Sequence, residues 1–135
     1  MSLTLRVLAP DKSVFDDTAD EIILPSTTGL LGVLPGHISM VTAIDFGVLR
    51  VLKNGTWDSI ALTGGFAEVE SDEVTVLVNK AQMGKEIDEI KAEAALEEAK
   101  TQLNQTEGKK DQTEKVKAQE KLNMAKAWLQ ASKSN

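Results

Sequence analysis

Before Gly84, apolar and polar residues alternate with a period of two, as expected for β-strands. In LTLRV, for example, Leu3, Leu5 and Val7 alternate with polar side chains. Two stretches read as β-hairpins: LRVLKNGTWDSIAL turns at Asn54-Gly55, which suits a type I′ turn, and GFAEVESDEVTVLV turns at Ser71-Asp72. About ten short strands with no intervening helical period predict an antiparallel β-sandwich or flattened barrel.

After Gly84 the period changes to that of amphipathic helices. We expect one helix from about Asp88 to Asn104 and a second from about Gln112 to Ala131, with QTEGKK as the turn between them. Each helix carries the same Ala/Leu stripe, formed by Ala92, Leu96, Ala99 and Leu103 and by Ala118, Leu122, Ala125 and Leu129. Matching stripes predict an antiparallel two-helix hairpin. Met124 and Trp128 lie off the stripe and form a second apolar surface, which could dock on the sandwich.

Composition divides the chain at the same point. Eight of the nine glycines and ten of the eleven valines precede residue 85, whereas Ala, Glu, Lys, Gln and Leu dominate afterwards. We therefore predict a β-sandwich at residues 1–85 and a helical hairpin at residues 86–135. The hairpin is marginal in stability, because a few buried leucines offset the ordering of two helices only narrowly.

Charge and cysteine content exclude several classes of function. The chain has 135 residues, a net charge of −6 and no cysteine, which argues against nucleic-acid binding and excludes disulfides, thiol nucleophiles and cysteine–histidine zinc sites. No apolar run is long enough to span a membrane and no signal-peptide pattern begins the chain, so we expect a soluble protein. Residues 107–135 carry seven basic and four acidic groups, net +3, which indicates an acidic partner.

The segment GLLGVLPGH, residues 29–37, admits three interpretations: a phosphate cradle, a site built on His37, or a contact surface for another protein. It lacks the lysine and the glycine spacing of phosphate-binding loops, and a single histidine cannot form a metal site alone. Gly64-Gly65 is interpreted as a bulge or tight corner. The acidic group Asp16, Asp17, Asp20 and Glu21 lacks the spacing of a calcium loop. No catalytic residue, metal site or cofactor is predicted, which leaves a non-catalytic interaction protein.

Two blocks of the sequence closely resemble the epsilon subunit of F-type ATP synthases. The first is TLRVLAPDKSVFDDTADEIILPSTTGLLGVLPGHISMVTAIDFGVLRV, and the second is LTGGFAEVESDEVTVLVNKA. The resemblance extends over essentially the whole chain, and APDKSVFDD and LPSTTG are most similar to the cyanobacterial and chloroplast branch. It implies a non-catalytic rotor subunit that couples gamma to the c ring and inhibits ATP hydrolysis through a mobile hairpin.

The resemblance also implies partners for particular residues. By motif position, the turn at Gly29–Gly32, with Leu30 and Leu31, would face the c ring, while His37 and Ile38 would face gamma. We expect Leu30-Leu31 to be an exposed apolar pair. Lysines of the second helix would face an acidic loop of the catalytic beta subunits when the hairpin extends; they are Lys115, Lys117, Lys121 and Lys126.

Some family members bind ATP through an I/L-D-x-x-R-A motif, of which this chain keeps only a remnant: Ile87, Asp88, Lys91 and Ala92. Lysine replaces the arginine at position 91, and the chain's only arginines are Arg6 and Arg50, both in the sandwich. We therefore expect weak ATP binding or none. The expected location is the cytoplasmic or stromal face of a thylakoid or other energy-transducing membrane, reached only through the complex. The alternative is a free-standing β-sandwich adaptor with a helical tail, which would not co-purify with gamma.

Overall fold

A computed structural model describes residues 2–108 and 111–134 of the chain. Within them lie ten strands, a 3-10 turn at Gly84–Glu86 and two helices. The strands are β1 (Leu3–Ala9), β2 (Lys12–Ala19), β3 (Glu21–Ser26), β4 (Gly29–Val33), β5 (Met40–Ile44), β6 (Gly47–Lys53), β7 (Thr56–Leu62), β8 (Gly65–Glu70), β9 (Glu73–Val78) and β10 (Ala81–Met83). The helices are α1 (Glu89–Gln105) and α2 (Gln112–Lys133). The predicted β-sandwich followed by a helical hairpin is confirmed.

Hydrogen-bonded neighbours form one long ladder in the order β10-β7-β6-β3-β5-β8-β9-β1-β2, with β4 paired to β3 outside this path. All strand pairs described are antiparallel except one: β1 runs parallel to β9, from Thr4 opposite Glu73 to Leu8 opposite Leu77. The sheet wraps around a core in which Leu3, Leu5 and Val7 are fully buried. Along β1, the alternation seen in the sequence therefore matches the side of the strand that faces inward.

Both predicted hairpin turns are confirmed. Asn54 and Gly55 have φ angles of 51° and 79°, as a type I′ turn requires, and Ser71 and Asp72 have φ angles of 51° and 63°. Gly65 begins β8 where the chain passes very close to β9, because a Cβ atom added at Gly65 would lie 2.0 Å from the carbonyl oxygen of Leu77. The tight corner predicted at Gly64-Gly65 thus exists because two backbones meet there.

The helices begin where their capping residues predict. The Asp88 carboxylate accepts hydrogen bonds from the backbone N–H groups of Ile90 and Lys91 at 3.0 and 3.2 Å, and Asp111 accepts one from Thr113 at 2.9 Å. The Ala/Leu stripes meet in a small cluster made of Leu96, Ala99, Leu103, Leu122 and Ala125. Within the predicted turn QTEGKK, Gly108 has a φ of 78°, whereas Lys109 and Lys110 lie outside the described residues.

The hairpin lies against the sandwich through α2. Ala131 packs on Val48 of β6 and Ala61 of β7, and Ile87 and Trp128 border this contact. The Trp128 side chain also donates a hydrogen bond from Nε1 to Oε1 of Gln82 at 2.9 Å. The predicted docking surface on the second helix therefore contacts the sandwich through Trp128, whereas Met124 lines the cavities beside this contact.

Candidate functional site

The turn expected at Gly29–Gly32 is wrong, because these residues belong to the edge strand β4, which pairs with β3 and carries the first of the predicted contact residues. Leu30 is 77% exposed, but Leu31 is partly buried and packs against the sandwich core. Neighbouring residues of a strand point to opposite faces, so the pairing of β4 with β3 turns one leucine outward and the other inward. The expectation of an exposed Leu30-Leu31 pair is therefore wrong for Leu31, and Leu30 alone is available to a partner.

Residues 34–39 form a loop after β4 that holds His37 and Ile38. The loop begins with a tight turn closed by a 3.1 Å hydrogen bond from the His37 N–H to the Leu34 carbonyl, and Gly36 supplies the positive φ of 87°. Ile38 is 77% exposed, whereas His37 is half-buried. Nδ1 of His37 lies 2.8 Å from the carbonyl oxygen of Ile38, so the imidazole braces its own loop.

A further apolar surface was not identified from the sequence. It lies on the outer face of the β5–β8–β9 part of the sheet, where Phe66 is 62% exposed. Phe66 pairs across the strands with Ala43 on one side and Leu77 on the other, and Val41 lies two residues from Ala43 along β5. Strand alternation could have revealed this face, because burial of Val74, Val76 and Val78 requires Leu77 to point outward.

The four residues of the ATP-motif remnant border one cleft of about 470 Å³ between the start of α1 and the middle of α2. Lys121, Met124 and Trp128 line its opposite wall. Three of the four motif residues already have structural roles: Ile87 packs at the docking contact, Asp88 caps α1, and Ala92 is buried between the helices. Both cationic groups of the cleft are lysines, while Arg6 and Arg50 lie on β1 and β6.

We expect the isolated chain to bind Mg-ATP more weakly than about 10 μM, which corresponds to roughly −7 kcal/mol. The reason is geometric: arginine presents a planar fork to phosphate oxygens, whereas lysine is a strongly hydrated point charge. Titration calorimetry measures the affinity directly, with the double variant Lys91→Arg, Lys121→Arg as the matched comparison. A dissociation constant at or below about 10 μM for the parent chain would show that lysines suffice.

All four lysines proposed for the beta subunits lie on the exposed surface of α2. In the part of the chain that the structure describes, Lys115, Lys117, Lys121 and Lys126 form no ion pair. Lys117 and Lys121 border a cavity of about 700 Å³ against the loops at Thr63 and Lys80. These four lysines therefore have no ion-pair partner among the described residues, and three of them face the sandwich, because Lys126 borders a smaller cavity beside Asp45 and Gly47.

The acidic residues near β2 and β3 serve the sheet. The ammonium group of Lys53 donates to the Asp17 carboxylate and holds the pKa of that carboxyl below its usual value. Asp16 lies 3.7 Å from Arg6, and Asp20 accepts a hydrogen bond from the N–H of Asn54 at 3.0 Å. Among the residues described, no group of His, Asp or Glu side chains is placed to hold a metal ion, and no helix has the length and apolarity needed to cross a membrane.

These features define a class of protein: a β-sandwich with a docked helical hairpin. Its exposed apolar side chains and its lysines on α2 suit contact with other proteins. Two family models match the chain. The β-sandwich domain of the ATP synthase delta/epsilon chain matches residues 2–84, and the long α-helix domain of the same chain matches residues 85–133.

Curated relatives agree with the family models. The ATP synthase epsilon chain of Prochlorococcus marinus strain NATL1A is 82% identical over 135 residues and covers 100% of both chains. The epsilon chain of Parasynechococcus marenigrum strain WH8102 is 66% identical over 134 residues, covering 99% of this chain and 98% of the relative. The chain belongs to the epsilon-chain family of ATP synthases, which are non-catalytic subunits of that complex. The resemblance stated from the sequence is confirmed, and it favours a synthase subunit over a free-standing adaptor.

Solved structures extend the comparison beyond cyanobacteria. A chain in the OSCP/F1/c-ring structure of the Euglena gracilis mitochondrial ATP synthase superposes with a TM-score of 0.80 at 26% identity, covering 97% of this chain and 81% of that one. A chain from the central stalk/c-ring structure of the Tetrahymena thermophila mitochondrial ATP synthase superposes with a TM-score of 0.61 at 12% identity, covering 98% and 97%. At 12% identity the second likeness establishes the fold alone.

Proposed function

We propose that the chain is a rotor subunit which joins gamma to the c ring of an ATP synthase and limits ATP hydrolysis through its hairpin. Residues 1–85 provide the binding of the rotor stalk, and residues 86–135 provide the regulation. The observation that carries this proposal is the separation of the exposed groups. Among the described residues, six of the eight exposed large apolar side chains lie on the sandwich, and the other two are Ile90 on α1 and Val116 on α2. The four lysines proposed to contact the beta subunits form no ion pair among these residues, and all four lie on α2. The membrane concerned is a thylakoid or related membrane, approached from its cytoplasmic or stromal side.

Two surfaces of the sandwich suit two partners. Leu30, at an edge strand flanked by glycines, is the proposed contact with the c ring, because glycines permit close approach of another backbone. Ile38 and His37 are the proposed contact with gamma. Ile38 lies three residues before Val41, so the gamma contact extends onto the outer face that carries Phe66 and Leu77. Exposed apolar side chains in such groups are typical of permanent subunit contacts.

The hairpin is held in a way that allows release. Its apolar contact with the sandwich is small, and Met124 lines three cavities beside that contact instead of packing in it. Incomplete packing forfeits dispersion contacts, so the docked position is only modestly favoured. Lys117 and Lys121 face the sandwich in this position. In the proposed inhibited state the hairpin extends away from the sandwich, and these lysines contact an acidic loop of the beta subunits.

Neutralising the four lysines of α2 should relieve the inhibition of ATP hydrolysis. We expect the variant with Lys115, Lys117, Lys121 and Lys126 changed to Gln to inhibit about 10-fold less strongly, because each exposed pair contributes about 0.2–1 kcal/mol. Added salt screens the same charges, so it should also weaken the inhibition of ATP hydrolysis by the parent chain. The measurement is ATP hydrolysis by a gamma-containing F1 sector that lacks this chain, titrated with parent or variant.

The matched control for that experiment is the double variant Lys91→Gln, Lys100→Gln, which removes exposed positive charge from α1 instead. It should inhibit within about twofold of the parent if position rather than total charge matters. Full inhibition by the quadruple variant would contradict a charge-based contact. Failure of the parent chain to bind the gamma-containing sector would contradict the assignment as a rotor subunit.

A further inference from the structure

The loop at residues 34–39 is tied to the rest of the sandwich by one side chain. Its turn uses the N–H of His37 for internal closure, which leaves the N–H of Gly36 directed outward. The Asp72 carboxylate accepts a hydrogen bond from this N–H at 2.7 Å. Among the described residues, no other hydrogen bond links residues 34–39 to a distant part of the chain.

Asp72 is itself fixed in space. It occupies the turn between β8 and β9 with a φ of 63°, and its carbonyl oxygen accepts a hydrogen bond from the Thr4 N–H at 2.9 Å. One residue therefore joins the start of β1, the β8–β9 turn and the loop. On that loop, Leu34 and Ile38 are both exposed and flank the turn that Asp72 holds. The position of two exposed apolar side chains thus depends on an acceptor that lies 36 residues away in the sequence.

We propose that Asp72 is a positioning residue for partner binding: it holds the loop at residues 34–39 in the conformation that docks on gamma. This inference rests on the proposed function, since gamma is the partner assigned to His37 and Ile38. Asp72 makes its contribution in the free chain, by removing alternative conformations of the loop before the partner arrives. Preorganisation of this kind reduces the ordering cost of association.

The experiment compares three full-length variants in their binding to a gamma-containing F1 sector that lacks this chain. Asp72→Gly keeps the positive φ and removes the acceptor, while Asp72→Asn keeps both the side-chain oxygen and tolerance of positive φ. Ser71→Gly is the matched control, because Ser71 shares the same turn and its own positive φ. Amide exchange of Gly36, followed by NMR, reports the loop directly, and thermal unfolding reports whether each variant is folded.

We expect Asp72→Gly to bind about 10-fold more weakly and to exchange the Gly36 amide about 10-fold faster, because the hydrogen bond that holds the loop is lost. Asp72→Asn and Ser71→Gly should stay within about twofold of the parent. Parent-like binding by folded Asp72→Gly would overturn the proposal. Equally weak binding by Asp72→Asn would also overturn the proposal, because it would indicate that the Asp72 charge contacts the partner directly. Equally weak binding by Ser71→Gly would overturn it too, because it would indicate that the effect comes from loss of the turn. If the parent does not bind the sector, the proposed function fails, and Gly36 exchange still decides whether Asp72 holds the loop.

Discussion

Replacing Gly65 by alanine should destabilise the sandwich by about 3 kcal/mol or more. The added Cβ atom would lie 2.0 Å from the carbonyl oxygen of Leu77 and 2.9 Å from the Cα atom of Val78. Both are backbone atoms of β9, so no side-chain rotation relieves the overlap. Gly65 also pairs with Ile44 on its other side, and β8 can move away from β9 only by disturbing β5. Urea unfolding followed by tryptophan fluorescence measures the loss.

Gly32→Ala provides the matched control for this prediction. Gly32 also lies in a strand, but nothing lies within 4 Å of an added Cβ atom and its φ is ordinary. We expect the free energy of unfolding of Gly32→Ala, obtained from its urea midpoint, to differ from that of the parent by less than about 0.5 kcal/mol. Equal midpoints for Gly65→Ala and the parent would show that β8 and β9 do not approach each other as the structure describes.

A chain that ends at Lys85 should fold, bind gamma and lose all inhibition of ATP hydrolysis. The main core of the sandwich is formed without any residue of α1 or α2, so its packing survives the truncation. Removal of α2 uncovers Val48 and Ala61, at a cost on the order of 2–3 kcal/mol in the free energy of unfolding. Circular dichroism, binding to the gamma-containing sector and a hydrolysis assay measure the three expectations.

The same shortened chain with Val48→Thr is the control for nonspecific effects of the uncovered patch. If it behaves like the shortened chain in binding and hydrolysis, the newly exposed valine is not responsible for either result. Loss of gamma binding by a folded shortened chain would mean that the hairpin takes part in coupling. Undiminished inhibition would mean that the sandwich, and not the hairpin, restrains hydrolysis.

Local sequence information accounts for the elements and their caps. Type I′ geometry at Asn54-Gly55 depends on two residues that tolerate positive φ, and the start of α1 depends on Asp88 bonding N–H groups two and three residues away. The apolar stripe of each helix likewise follows from spacing within that helix. Such features involve neighbours in the chain, so pattern and propensity predict them well.

The candidate site was predicted only in part, for the same reason. Leu30 and Ile38, which the sequence identified as contact residues, are exposed, and the outer face at Phe66 and Leu77 could also have been found from alternation. The sequence did not show whether Leu31 faces the core or the solvent, because that depends on the register of β4 on β3. A strand pattern states that two leucines face opposite ways, but the partner strand decides which of them faces the core.

The sequence by itself determined the two-part organisation, the strand and helix periods, the turns, the caps and the family. Only the tertiary structure decided the parallel pairing of β1 with β9, the hydrogen bond from Trp128 to Gln82 and the tether from Asp72 to Gly36. These contacts join residues tens of positions apart, and no local preference encodes them. They arise because folding packs the strands around one core and docks α2 on the sandwich, which brings distant backbone and side-chain groups within hydrogen-bonding distance.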